Sequence, residues 1–225
     1  MTFTRDVERR AGRGSLRSAP VVAGIAFVLA WVAGLAVWPS NLDPAASAAQ
    51  VIAAYGGSQL VAMAQSLLVH GAAAVALAVV AVALGREASR RGAGPLVRVA
   101  MGAGLAAVAL SLVQCGSGLL LAGWAVPARN AGAALTLFDL VGRLDGLKMF
   151  ALAVMAASGA ALALRNGVLP RWVGVLGILL AAALCVSGVG YVLLRSGLAQ
   201  AAFVSGPLLL LWVLSAGVAL GLRRR

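Results

Sequence analysis

The sequence predicts an all-α protein, a polytopic bundle of six transmembrane helices. Two observations carry this prediction: 62% of the 225 residues are hydrophobic and only 11% are charged, and the apolar residues collect in stretches long enough to cross a bilayer. A soluble domain is roughly half apolar and about a quarter charged. A soluble enzyme, an extracellular disulfide scaffold and a disordered chain are therefore excluded.

Six segments reach the roughly 20 mostly apolar residues that a transmembrane helix requires. Each is apolar all round rather than on one face, as expected for helices that contact both lipid and one another. The helical pattern of the fourth segment extends back past Asp139, and the longest loop is expected to form a short helix over residues 45–54. The predicted spans cover residues 21–38, 60–84, 96–124, 146–164, 172–194 and 203–222.

The distribution of basic residues predicts the orientation of the bundle. Fourteen of the 18 Lys and Arg residues lie on one side of the predicted bundle, and the other four lie on the opposite side. The fourteen occur before the first span, between the second and third spans, between the fourth and fifth spans, and after the last span. Cytoplasmic segments carry such an excess. Both termini are therefore predicted in the cytoplasm, and the even number of spans agrees with this independently.

The chain is predicted to hold one transmembrane domain over residues 21–222, flanked by basic cytoplasmic segments at 1–20 and 223–225, in the plasma (inner) membrane. The net charge of +12 is explained by topology, so no nucleic-acid partner is predicted. The N-terminal segment either binds anionic lipid or serves only as the topology signal. The first span exceeds the roughly 7–15 apolar residues of a signal peptide and is expected to stay uncleaved.

Cysteine and histidine usage argues against redox, metal and cofactor chemistry. Cys115 and Cys185 lie in different spans without a C-x-x-C pair; helix geometry allows them to share a layer, and we interpret them as packing residues. His70 is the only histidine, which excludes bis-histidine haem within one chain and a multi-histidine zinc site. No metal and no cofactor are predicted.

Polar residues inside the membrane are costly and count as candidate functional positions. His70 lies near the middle of the second span, and Ser66 shares its helix face. Gln114 and Ser117 form a second polar spot in the third span, so His70 and Gln114 are expected to hydrogen-bond across the helix interface. Such a histidine is either a proton or solute site or a neutral group that joins helices.

The densest group of charges opens the fourth span. Asp139 and Arg143 are four residues apart, and Asp145 and Lys148 are three apart, so each acid is expected to pair with a base along one helix. Lys148 is expected to extend outward to water. We interpret this segment as a solvated helix start, with an outward-facing binding mouth as the alternative.

Three short segments carry resemblances to two kinds of known family. CGSG at residues 115–118 is similar to the Gly-x-Ser-Gly of intramembrane rhomboid proteases, with Cys115 replacing the first glycine and His70 before rather than after Ser117. NGVLPRWVG at 166–174 resembles the LPRWLG that opens the fifth helix in six-span bacterial membrane families of unknown function, and AYGGSQL at 54–60 resembles their tyrosine-containing lead-in without its charged residues. The second resemblance implies a bacterial membrane protein and no catalytic residues.

Three classes of function remain. The absence of motifs and the Gly/Ala-rich helix faces favour a non-enzymatic accessory or interaction protein, with a homo-oligomer or another membrane protein as partner. The alternative is a small-solute or proton-coupled transporter with a polar site around His70 and Gln114. A more remote alternative is an intramembrane hydrolase that uses Ser117 and His70.

Overall fold

The structure is a computed structural model that describes residues 3–38, 42–43 and 45–222, with the side chains of the first helix described from Ser18 onward. Over these residues every regular element is helical, and six helical segments are long and apolar enough to cross a membrane. The predicted all-α, six-span architecture is confirmed. The arginines within 5–17 and 223–225, which support the predicted orientation and contact with anionic lipid, lie outside the described side chains.

Several helices are longer than the apolar stretches that predict them, because polar turns continue them beyond the membrane. Two spans also contain a π-helical stretch. In chain order the elements are α1 (Phe3–Val37), α2 (Ala48–Gly56), α3 (Gln59–Ser66), a π-helix (Leu67–Ala72), α4 (Ala73–Arg90), α5 (Pro95–Leu120), a π-helix (Leu121–Ala125), α6 (Ala131–Asn166), α7 (Arg171–Val192), α8 (Ser196–Ala199) and α9 (Ala202–Leu222). The six spans are Ser18–Val37, Gln59–Arg90, Pro95–Ala125, Ala131–Asn166, Arg171–Val192 and Ser196–Leu222.

Residues at the helix ends explain where the spans begin and stop. Pro95 occupies the first turn of α5, where its missing N–H is not needed. Asn130 caps α6 by accepting a hydrogen bond from the Ala133 N–H at 3.1 Å. Gly167 ends α6 with a φ of +61°, the left-handed conformation that glycine adopts without a Cβ penalty.

Close packing in the bundle core depends on small residues that face large ones. The Trp212 side chain is 1% exposed and fills the space over Gly159 and Gly177. A Cβ atom on Gly159 would lie 2.7 Å from the Trp212 ring, and one on Gly177 would lie 2.9 Å from its Nε1. These two glycines therefore admit the indole between the fourth, fifth and sixth spans.

The first and last spans run antiparallel and in contact. A Cβ on Gly24 would lie 3.3 Å from the Leu214 Cα, and one on Gly217 would meet the Pro20 carbonyl. The Pro20 end of the first span and the Leu222 end of the last span therefore lie on one side of the bundle. The connections 91–94 and 167–170 lie on that same side. We call this side the arginine-rich face, because Arg90, Arg91, Arg165 and Arg171 flank those connections; the other side is the opposite face.

The helix α2 covers part of the opposite face. Its first turn is fixed by a capping box, in which the Ser47 N–H donates to Gln50 Oε1 at 2.8 Å and the Gln50 N–H donates back to Ser47 Oγ. Val51 is fully buried against the ends of the third and fourth spans. The expected loop helix over residues 45–54 is thus confirmed with slightly later bounds.

A polar contact joins the segment that precedes α2 to the first residue of α8. The Ser196 hydroxyl donates to the Asp43 carboxylate, with its Oγ 2.9 and 2.8 Å from the two oxygens, and the Ala45 N–H donates to the same carboxylate at 2.8 Å. The Ala45 and Ser196 hydrogen bonds hold the pKa of Asp43 below its usual range. This contact connects two segments that are far apart in sequence.

Helix contacts this close predict a strong response to a single methyl group. A Cβ on Gly146 of α6 would lie 2.8 Å from both the Gly188 carbonyl and the Val192 nitrogen of α7, and backbone atoms cannot rotate away. We expect Gly146→Ala to destabilise the protein by about 1–3 kcal/mol, the usual cost of overpacking. The measurement is the free energy of unfolding of the purified protein in detergent.

The matched control is Gly102→Ala on α5, where a Cβ would meet no atom within 4 Å. This variant should be neutral or stabilised by up to about 1 kcal/mol, because alanine favours the helix over glycine. Equal losses in the two variants would contradict the close contact of α6 with α7.

Candidate functional site

Four polar side chains meet inside the bundle where the second, third and fourth spans converge. They are His70, Gln114, Asp145 and Lys148, and we call them the polar cluster. Lys148 forms an ion pair with Asp145, donates to Gln114 Oε1 at 2.9 Å, and lies with its Nζ 3.5 Å from His70 Nδ1. The sequence analysis grouped His70 with Gln114 and treated Asp145 and Lys148 as a separate group of charges; in the structure all four share one site.

Lys148 is the centre of the polar cluster. Its side chain is only 6% exposed, although an ammonium group in a membrane interior is expensive. An ammonium has three protons to donate, and the three acceptors are Asp145 Oδ1, Gln114 Oε1 and His70 Nδ1. The protein groups thereby replace the water that the ammonium has lost. The expectation that Lys148 extends outward to water is wrong.

Gln114 holds the third and fourth spans in register. Its Nε2 donates to the Val141 carbonyl and to Asp145 Oδ1, both at 3.1 Å, while its Oε1 accepts from Lys148. The side chain is 1% exposed. Gln114 and His70 were expected to bond directly; instead Lys148 lies between them and bonds to both.

His70 lies in the π-helical stretch Leu67–Ala72 of the second span. Such stretches are rare, appear mostly as single turns within α-helices, and occur often at functional sites. His70 is 8% exposed. The irregular turn and the intramembrane histidine are independent observations that fall on the same residue.

The polar cluster lies far from the arginine-rich face. Gln114 is 19 residues after Pro95, about 28 Å along the helix, and Lys148 is 18 residues before Asn166, about 27 Å. From the other helix ends, Gln114 is 11 residues before Ala125 and Lys148 is 17 residues after Ala131. The site therefore lies nearer to the opposite face along the third span and midway along α6.

The contact with Lys148 bears on where His70 carries its proton. An ammonium can only donate, so a neutral ring that accepts from Lys148 at Nδ1 carries its proton on Nε2. A second proton, on Nδ1, would point at the ammonium and break that hydrogen bond. The polar cluster would then hold two positive charges and one carboxylate, that of Asp145. A protonated His70 would therefore face the Lys148 ammonium as a second cation.

Ser66 and Ser117 are buried beside the polar cluster, but neither forms a hydrogen bond with it in the described part of the chain. Ser66 packs on Gly118, where a Cβ would collide with its Oγ. The Ser117 hydroxyl donates to the Val113 carbonyl of its own helix at 2.9 Å. Ser117 and His70 therefore form no serine–histidine dyad.

The charges at the start of the fourth span divide between two environments. The expected pairing of Asp145 with Lys148 is present. The expected pairing of Asp139 with Arg143 is not found among the described residues, because Arg143 Nη1 turns to the Val192 carbonyl of α7 at 3.1 Å. The interpretation of the whole segment as a solvated helix start is thus wrong for its second half.

The two cysteines do not meet. Cys115 is buried next to Gly71, whose Cβ would lie 3.5 Å from its sulfur, whereas Cys185 is exposed, and both thiols are free. Within the described residues no group of three or more His, Cys, Asp or Glu side chains is placed to hold a metal ion.

Sequence reasoning missed the inward position of Lys148, although one signal for it was present. The apolar stretch of the fourth span begins only at Met149, which makes Lys148 look like its polar border. Lys148 nevertheless shares a helix face with Leu152, Met155 and Gly159, at spacings of four, three and four residues, and all of these are buried. That periodicity places it on the core-facing stripe.

Comparison of this chain with protein-family models, with curated proteins and with solved structures found no match.

The ion pair of Lys148 with Asp145 predicts how the free energy of unfolding changes when one or both charges are removed. Lys148→Met removes the ammonium and leaves the Asp145 carboxylate partly buried without its counter-ion. Breaking a buried pair in this way costs about 3–5 kcal/mol, and we expect the lower end because the Asp145 side chain keeps 18% exposure. The free energy of unfolding in detergent measures the loss.

The double variant Lys148→Met/Asp145→Asn carries neither charge. It should be more stable than Lys148→Met alone, because no unpaired charge remains in the bundle. A double variant as unstable as the sum of the two single variants would show that the two side chains do not interact as described.

Proposed function

We propose that this chain is a non-enzymatic, multi-pass membrane protein whose polar cluster takes up and releases a proton, as in a small proton-coupled carrier. The single observation that carries the proposal is the contact of Lys148 with His70, 3.5 Å apart inside a membrane-spanning bundle. The sequence alone offered His70 no charged partner. The fold supplies two, Lys148 and Asp145.

This arrangement suits proton exchange because its charge states compete. With His70 neutral, one ammonium and one carboxylate balance and every proton of Lys148 has an acceptor. Protonation of His70 leaves two cations for one carboxylate, an unfavourable state in a low-dielectric interior. Imidazole is also the side chain whose ordinary titration lies near neutral pH. The cluster can therefore exist in two arrangements that differ by one proton.

The position of the site supports access from one side. His70 and Gln114 lie nearer to the opposite ends of their spans, and the π-helical turn at His70 interrupts the regular backbone of the second span. A segment that departs from α-helical geometry at membrane depth is where a span can rearrange without unfolding. We infer that protons reach the cluster from the opposite face.

An accessory protein without a transported substrate is the second candidate. It is favoured by the cavity beside Lys148, which has a volume of about 10 Å³ and is lined by Ser111 and otherwise mainly by apolar side chains. That is room for about one water molecule. In an accessory protein the polar cluster would join three spans and would not exchange protons.

We propose that the chain lies in the plasma membrane, and positive-inside bias supports an orientation with the arginine-rich face in the cytoplasm. Both termini would then be cytoplasmic, and His70 and Gln114 would lie in the outer halves of their spans. The short α2 would cover the outer ends of the third and fourth spans.

The carrier proposal predicts proton movement that depends on His70. Full-length protein reconstituted in vesicles containing a trapped pH-sensitive dye should equilibrate an imposed pH gradient faster than protein-free vesicles. His70→Gln should abolish the difference, because an amide oxygen can still accept from Lys148 but cannot take up a proton.

Ser158→Ala is the matched control, since Ser158 is a buried polar residue of the same α6 that bonds only to the Val154 carbonyl of its own helix. Vesicles that contain Ser158→Ala should equilibrate the pH gradient at the same rate as vesicles that contain the unaltered protein. Equal rates for the unaltered protein and His70→Gln would reject the carrier. A rate no greater than that of empty vesicles would also reject it and favour the accessory protein.

The proposed orientation predicts which loops are reachable from outside the cell. Single cysteines introduced at Ser58 on the opposite face and Gly92 on the arginine-rich face, in a chain with Cys115 and Cys185 replaced by alanine, should differ in labelling of intact cells. A membrane-impermeant maleimide should label position 58 and should reach position 92 only after permeabilisation. The reverse pattern would contradict the orientation.

A further inference from the structure

A wide apolar groove opens on the lipid-facing side of the bundle, between the ends of the third and fourth spans at the opposite face. Its volume is about 590 Å³, within the range of small-molecule binding sites. Leu120 and Trp124 are exposed along it. The lining residues are Leu120, Trp124, Ala133, Thr136 and Leu137.

The turn that joins the two helices of the groove has a defined geometry. The Asn130 N–H donates to the Ala125 carbonyl at 3.0 Å, and the Arg129 N–H donates to the Val126 carbonyl at 2.9 Å. These two bonds form the Schellman motif that ends many helices. The motif requires a residue in the left-handed conformation, and here that residue is Arg129, with a φ of 51°.

Arginine at this position is not explained by the fold. Glycine is the usual residue at the left-handed position of the motif, and a side chain there is disfavoured. The Arg129 side chain is exposed, and in the described part of the chain it forms no ion pair or hydrogen bond. The nearest acid along α6, Asp139, does not pair with it. A strained backbone position thus holds an uncompensated cation beside an apolar groove.

We propose that the groove and Arg129 together bind one anionic phospholipid. An acyl chain lies in the groove against Trp124 and Thr136, and the guanidinium of Arg129 binds the lipid phosphate. The occupant comes from the bilayer because the groove opens toward lipid and its lining is almost wholly apolar. Guanidinium recognises phosphate oxygens through paired hydrogen bonds, and Arg129 lies in the turn that joins the two helices lining the groove.

The test uses full-length protein in lipid nanodiscs and quenching of tryptophan fluorescence by brominated acyl chains. Brominated phosphatidylglycerol at a fixed mole fraction should quench more than brominated phosphatidylcholine at the same fraction. The difference should disappear in Trp124→Phe, which removes the tryptophan in the groove and keeps the other four.

Arg129→Gly separates the lipid site from the stability of the turn, because glycine relieves the left-handed position while it removes the charge. It should lose the preference for phosphatidylglycerol and unfold at an equal or higher temperature. Leu194→Gly is the matched control, since Leu194 occupies the same left-handed position at the end of α7 with a φ of 52°. It should keep the full preference.

Thr136→Phe tests the groove itself by filling it without altering charge. It should reduce quenching by both brominated lipids. Equal quenching by the two lipids in the unaltered protein, or an undiminished preference in Arg129→Gly, would overturn the proposal. Binding of inorganic phosphate in nanodiscs that lack phosphatidylglycerol, lost in Arg129→Gly, together with equal quenching by the two brominated lipids, would assign the Arg129 site to free phosphate and also overturn it.

Discussion

The ammonium of Lys148 imposes the strictest requirement on this structure. A charged group that leaves water must find its hydrogen-bond partners in the protein, and Lys148 finds them on three spans: Asp145 on its own helix, Gln114 on the third and His70 on the second. No two of these helices can shift relative to each other without exposing a donor or acceptor to hydrocarbon. The packing of the second, third and fourth spans is thus coupled to one charge.

The small residues around the cluster bring the helices close enough for these contacts. Gly146 lies between Asp145 and Lys148 in the chain and packs against the backbone of α7. Gly118 makes the equivalent contact with Ser66 one turn beyond Gln114. Hydrophobic burial does not drive helix association within lipid, so close approach and shared hydrogen bonds must do so. The glycines and the polar cluster therefore act together in holding the bundle.

The sequence predicted the fold better than the site for a physical reason. Span length and composition follow from the thickness of the hydrocarbon core, so the six helices could be read without knowledge of their contacts. The pairing of Asp145 with Lys148 was also local, at three residues along one helix. The approach of Lys148 to His70 joins residues 78 positions apart, and no local pattern encodes it. The failed pairing of Asp139 with Arg143 has the same origin, because the competing Val192 carbonyl lies on another helix.

The contact between His70 and Lys148 also indicates which helices an added proton would separate. Protonation of His70 breaks its contact with Lys148, the polar link between the second and fourth spans within the cluster. The third and fourth spans keep their own link, because Gln114 still donates to the Val141 carbonyl. The π-helical turn at Leu67–Ala72 belongs to the second span, the helix that loses its contact with Lys148. A second span that moves against a fixed pair of helices would open the polar cluster toward the face covered by α2, whereas a rigid accessory bundle would hold all three spans together in both charge states.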